Sequence, residues 1–126
     1  MTTTIKRKTV YRKVYTAMEM VKELRGEVII VTLSGRVDAE SSPQLKKDFQ
    51  SMLNSTAQVV INMQGVEYID STGLGALVAC LKYAVELKGN VKLSSLQSKP
   101  RLVFEITRAH KIFDIYDSLD EAIESY

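Results

Sequence analysis

The chain has one cysteine, one histidine, two prolines and no tryptophan in 126 residues, and each scarcity excludes something. Cys80 has no partner for an intrachain disulfide and lies in an apolar stretch, which fits a reducing compartment; the cytoplasm is the expected location. With His110 as the sole histidine there is no His/Cys set for a structural zinc and no cysteine–histidine nucleophile pair. Neither a G-x-x-x-x-G-K-S/T phosphate loop nor a G-x-S-x-G elbow is present. The D-S-T-G of residues 70–73 occurs once, whereas an aspartic dyad needs two carboxylates. The expectation is therefore a protein that is not an enzyme and holds neither cofactor nor metal.

Long hydrophobic runs are also missing. The longest, Gly73 to Leu81, is far below the about 20 residues that span a bilayer. Residues 9–18 are interrupted by Arg12 and Lys13, so no signal-peptide core follows the basic N-terminus. Neither a membrane partner nor a secreted fate is expected. Charge of one sign is scarce overall, with a net +2, but it is uneven. Lys6, Arg7, Lys8, Arg12 and Lys13 put +5 on residues 1–16, leaving −3 on the rest. Five charges interleaved with two tyrosines make a short basic arm, too few for an expectation of direct nucleic-acid binding. Thr9 to Tyr15 is rich in β-formers, so the arm is an extra strand or is partly disordered.

What is present, 45% hydrophobic and 25% charged residues, suits a single domain with a real core. Thr16 to Leu24 reads as a strand, Arg25-Gly26 as a turn, and Glu27 to Ser34 (EVIIVTLS) as a central strand buried on both faces. Ser42-Pro43 opens a helix to about Asn54, with the serine accepting from first-turn amides and Leu45, Phe49, Met52 and Leu53 inward. Ala57 to Met63 reads as a buried strand, and a loop then leads to a helix whose Leu74, Leu77, Val78, Leu81 and Val85 recur at helical spacing until Gly89-Asn90. Val91 to Leu96 is a strand, Lys99 to Arg108 a helix with Leu102, Val103 and Ile106 inward, Ile112 to Tyr116 a short strand, and Ser118 to Glu124 a last helix. Strands alternating with helices argue for an α/β or α+β layered fold on a mixed sheet.

The segment V-E-Y-I-D-S-T-G-L-G at 66–75 is the most informative. Asp70, Ser71 and Thr72 fall where a helix begins, so a side-chain oxygen there can cap the free amides of the first turn, and a hydroxyl held there is exposed at its tip. Gly73 and Gly75 leave backbone open for the approach of another protein's active site. A phosphate on Ser71 is tolerated, because a helix N-terminus favours negative charge by about 0.3–1 kcal/mol. It would also add about −1.5 to −2 charges beside Asp70. A purely structural cap explains the same residues. The helix from Gly73 to Leu81 is small or apolar all round, and its excess face of Gly75, Ala76, Ala79 and Tyr83 suits either a partner or a neighbouring helix.

From residue 17 to 126 the chain resembles the STAS domain of the anti-sigma factor antagonist family. The resemblance rests on V-T-L-S-G-R-V-D at 31–38, S-S-P-Q-L at 41–45, and Y-I-D-S-T-G-L-G at 68–75 followed by the apolar helix. It implies a mixed sheet of four to five strands with helices mainly on one face, preceded by the arm of residues 1–16. It also implies that Ser71, with Thr72 as second choice, is phosphorylated by an anti-sigma factor that is also a serine kinase of the histidine-kinase-like ATPase type. A PP2C-type phosphatase would reset the serine. Asp38, Asp70, Ser71, Thr72, Gly73, Leu74 and Gly75 are then the partner-binding candidates, Asp38 being equally readable as a solvated loop residue. Arg36 departs from the family, which often has glutamate there; it could alter electrostatic selection at the switch surface, or be simple surface charge. The alternative readings of this chain are an adaptor or scaffold STAS module of a signalling assembly, or a subunit of a lipid-transport complex that uses the same fold.

Overall fold

The computed structural model describes residues 10–14, 18–53 and 57–126. The remainder of the basic arm and Asn54 lie outside the described residues.

The strands β1 (Val10–Val14), β2 (Met18–Arg25), β3 (Val28–Val37), β4 (Gln58–Ile69), β5 (Asn90–Ser94) and β6 (Asp114–Tyr116) form one sheet in sequence order. β1, β2 and β3 pair antiparallel, and every later neighbour is parallel. The sheet is therefore mixed as expected: β2 to β6 supply five strands, and β1 lies along the outer edge of β2 as a sixth. The β2–β3 reversal uses Gly26 at φ +64°, a left-handed conformation that glycine adopts without a Cβ penalty.

β3 is central because it can be buried on both sides. Ile29, Val31 and Leu33 face the larger core, while Val28 and Ile30 face a smaller one. Each parallel crossover carries a helix, as parallel strands require. The helices α1 (Ser42–Met52), α2 (Ser71–Glu86) and α3 (Ser98–Ile106) each put side chains into the larger core, whereas α4 (Leu119–Glu124) sits on Val28, Ile30 and Val60 through Ala122. The fully buried Leu45 and Phe49 of α1 each contribute roughly 1.5–3 kcal/mol of burial. Asp120 and Glu121 lie in the first turn of α4, and Ser118 and Glu121 form a reciprocal capping box. Beyond α4, the Tyr126 hydroxyl accepts from the Val59 amide, and its one proton lies within reach of the Val59 carbonyl at 2.6 Å and the Asn90 carbonyl at 2.8 Å, so this residue ties β4 to β5. No helix among the described residues is long and apolar enough to cross a membrane.

Three expectations need correction. The loop after Met63 does not exist: β4 continues to Ile69 and leaves only Asp70 before α2. β3 follows it by means of register shifts at Thr32/Ser34 and Gly35/Arg36. At Gly65 an added Cβ would lie 2.7 Å from Ser34 Cβ, so the two strands approach where only glycine fits. Secondly, Ser42 does not cap α1; its hydroxyl donates to the Asp38 carbonyl at 2.5 Å, and Ser41 occupies the cap position with its hydroxyl turned to the 36–38 segment rather than to the helix amides. Thirdly, α3 turns Pro100 and Phe104 inward, while Leu102 and Ile106 are 53% and 71% exposed. The Phe104 ring packs edge-on against Phe113 at 5.8 Å, and this large aromatic contact sets the rotation of a short helix.

Candidate functional site

The C-terminal ends of β3 and β4 lie side by side, and the chain leaves each at an aspartate. Asp70 is the cap of α2: extended at φ −107° and ψ −177°, it accepts from the Gly73 amide through Oδ1 at 2.7 Å. Its own amide donates to the Val37 carbonyl at 3.3 Å, and its Oδ2 accepts from the Ala39 amide at 3.3 Å. One residue thus ends β4, starts α2 and holds the loop that follows β3. Ser71 and Thr72 are exposed in the first turn. Neither is needed for the cap, so the Ser71 hydroxyl is presented at the positive end of the helix while the structural role falls to its neighbour.

Asp38 organises the facing loop. Its Oδ1 accepts from the amides of Glu40 at 3.1 Å and Ser41 at 3.2 Å, and its Oδ2 meets Arg36 Nε at 3.6 Å. Burial pushes this carboxyl up, but the Ser41 and Glu40 amides, the Ser41 hydroxyl and the Arg36 guanidinium together hold it below the ordinary 3.8. It is a committed anion at neutral pH. The Arg36 guanidinium lies 3.9 Å from the centroid of the Tyr68 ring, its cross-strand neighbour. A cation over a tyrosine face is attracted by the ring quadrupole. Arg36 stands out in the sequence only as a departure from the family that could alter electrostatic selection at the switch surface or be simple surface charge; Tyr68 is not a candidate there, because its pairing with Arg36 depends on a register shift that no local pattern announces.

The candidate residues are therefore not all alike. Asp38, Asp70, Ser71, Thr72 and Gly75 reach the same edge, whereas Gly73 and Leu74 are buried. At Gly73 the backbone faces inward: a Cβ there would clash with the Val37 carbonyl oxygen and lie 2.6 Å from its carbon. A Cβ added at Gly75 would meet nothing within 4 Å, and the residue is open to solvent. Along α2, Ala76 is buried rather than part of an outer face, Val78, Ala79 and Tyr83 are half-buried, and Val85 is 54% exposed rather than inward. α1 packs alongside α2, which accounts for part of the small-residue surface. Among the described residues no group of three or more His, Cys, Asp or Glu could hold a metal ion.

The mixed sheet, with three helices on one face and α4 on the other, thus carries a capped helix tip with an exposed serine beside the ends of β3 and β4. The STAS domain profile matches residues 19–122. The anti-sigma-B factor antagonist of Bacillus subtilis is 33% identical over 87 residues, covering 69% of this chain and 80% of that protein. An anti-sigma factor antagonist from Mycobacterium paratuberculosis superposes with a TM-score of 0.78 at 24% identity, over 90% of this chain and 97% of that one. The anti-sigma factor antagonist SpoIIAA, solved in unphosphorylated and phosphorylated forms, shares the fold with TM-scores of 0.61 and 0.62 at 15% and 16% identity, covering 93% of this chain and 96% and 98% of those. The chain belongs to the STAS domain family, among the anti-sigma factor antagonists.

Proposed function

We propose that this chain is an anti-sigma factor antagonist that works by partner switching, with Ser71 as its switch residue and Thr72 the second choice. Unphosphorylated, it binds an anti-sigma factor through the edge formed by Asp38, Asp70, Ser71, Thr72 and Gly75, with Gly73 and Leu74 setting the shape of the helix tip beneath. The anti-sigma factor is a serine kinase of the histidine-kinase-like ATPase type; its transfer of phosphate to Ser71 dissolves the complex, and a PP2C-type phosphatase restores it. The protein acts in the cytoplasm, as substrate and ligand rather than as enzyme.

The observation that carries this reading is the division of labour at the tip. Asp70 already satisfies the Gly73 amide, so a phosphate on the exposed Ser71 breaks no bond that holds the fold. It nonetheless adds about −1.5 to −2 charges to the docking edge. Incubation with the cognate kinase and ATP is expected to add one phosphate to the wild type and none to Ser71→Ala; labelling of that variant would move the site to Thr72 or elsewhere. Ser71→Asp is expected to weaken the complex while the circular dichroism spectrum stays native. A Ser71→Asp variant that unfolds would instead mark the serine as structural.

A further inference from the structure

We propose, resting on the antagonist reading, that Arg36 is the partner-selecting anchor of this edge, and that the anti-sigma factor meets it with a carboxylate set in an otherwise basic surface. Two segments build the edge, residues 35–41 and 64–75, and they carry four acids, Asp38, Glu40, Glu67 and Asp70, against the single cation Arg36. A complementary partner is basic where it faces the acids and acidic where it faces the one cation.

Arg36 is also held ready for such a contact. Its guanidinium lies 3.9 Å over the Tyr68 ring, and its Nε lies 3.6 Å from Asp38 Oδ2. The terminal nitrogens of the fork supply further donors suited to a bidentate carboxylate. The side chain keeps 48% of its surface exposed despite these restraints, and Tyr68 keeps 39%. An exposed arginine already fixed in one place loses less conformational entropy on binding than a free one. Arginine and tyrosine are also the side-chain types that recur as binding hot spots. Asp38, with Oδ1 committed to the Glu40 and Ser41 amides, acts as the brace that aims the guanidinium.

The test is calorimetric titration of the unphosphorylated full chain into the purified cognate anti-sigma factor, with R36Q, R36E and R36K beside Ser71→Asp. R36Q is expected to weaken the complex by about 10- to 100-fold and R36E by more. R36K is expected to recover only part, because an ammonium lacks the planar fork. Melting temperatures report separately on folding. R36E binding as tightly as wild type, or more tightly, overturns the proposal, since it places a cation opposite residue 36. So does full recovery of both affinity and melting temperature by R36K after R36Q has lowered both, because that pattern marks a brace for the 38–41 loop. If Ser71→Asp weakens the complex while R36Q and R36E do not, the Arg36 inference alone falls. If the wild type does not bind, or Ser71→Asp binds equally well, the antagonist reading fails and takes the inference with it.

Discussion

Gly73 and Gly75 lie two residues apart on α2, and alanine at each is expected to change stability in opposite directions. At Gly73 the new Cβ would meet the carbonyl of Val37, whose side chain is fully buried in the core. A backbone carbonyl cannot swing aside as a side chain can, so the helix tip must shift away from β3. Overpacking of this kind costs about 1–3 kcal/mol. A shifted tip also strains the Asp70 amide bond to Val37 and the Ala39 amide bond to Asp70, each worth roughly 0.5–1.5 kcal/mol. Alanine returns about 0.5–1 kcal/mol of helix propensity, leaving Gly73→Ala destabilised by roughly 2–4 kcal/mol. At Gly75 nothing lies within 4 Å, so only the propensity gain remains, and Gly75→Ala is expected to be more stable by about 0.5–1 kcal/mol. Urea denaturation followed by circular dichroism, at unchanged m value, reads both. In melting temperature the shifts are a fall of roughly 10 °C and a rise of roughly 2–5 °C for a domain of this size. A Gly73→Ala protein within about 0.5 kcal/mol of wild type would refute the close approach. A Gly75→Ala protein destabilised by more than that would refute the open space.

Two further outcomes follow from the same structure. Asp70→Ala is expected to lose about 1–2 kcal/mol, because it removes the cap and the tie to Ala39, whereas Asp70→Asn keeps most of the stability because asparagine caps comparably; equal stability of all three in urea would contradict the assignment of the cap. The thiol of Cys80 is fully buried and burial pushes its pKa up to about 12, so Ellman's reagent at pH 8 is expected to label no thiol in the native protein and one per chain in urea. Rapid native labelling would show that the core beneath α2 opens.

The parts of the fold that can be read from the chain are those where a local pattern and the tertiary environment agree. The continuous β-branched run of β3, the one-sided stripe of α1 and the helix start at Asp70, Ser71 and Thr72 are of this kind. β4 reads as ending at Met63 because Gln64, Gly65 and Glu67 look like loop residues; a strand survives there only because β3 shifts register to follow it. Val103 packs against the larger core as expected, but the rotation of α3 escapes its periodicity because Leu102 and Ile106 satisfy helical spacing as well as Pro100 and Phe104 do, and the Phe113 ring decides between them. Ser71 is legible as an exposed hydroxyl near a helix start, but which of three adjacent oxygens makes the cap is not. The Arg36–Tyr68 contact joins residues far apart in sequence across two parallel strands, and spacing alone carries no trace of it.

The bonds from Asp70 to Val37, Ala39 and Gly73 have a last consequence for how Ser71 is met. A hydroxyl on a free tail can thread into an active-site cleft, and an enzyme can read the residues on either side of it as a linear string. Here the flanking residues are folded away into a strand on one side and a helix on the other. Whatever acts on this oxygen must recognise a rigid contour assembled from two distant stretches of chain, and an unfolded peptide carrying the same letters would not reproduce it.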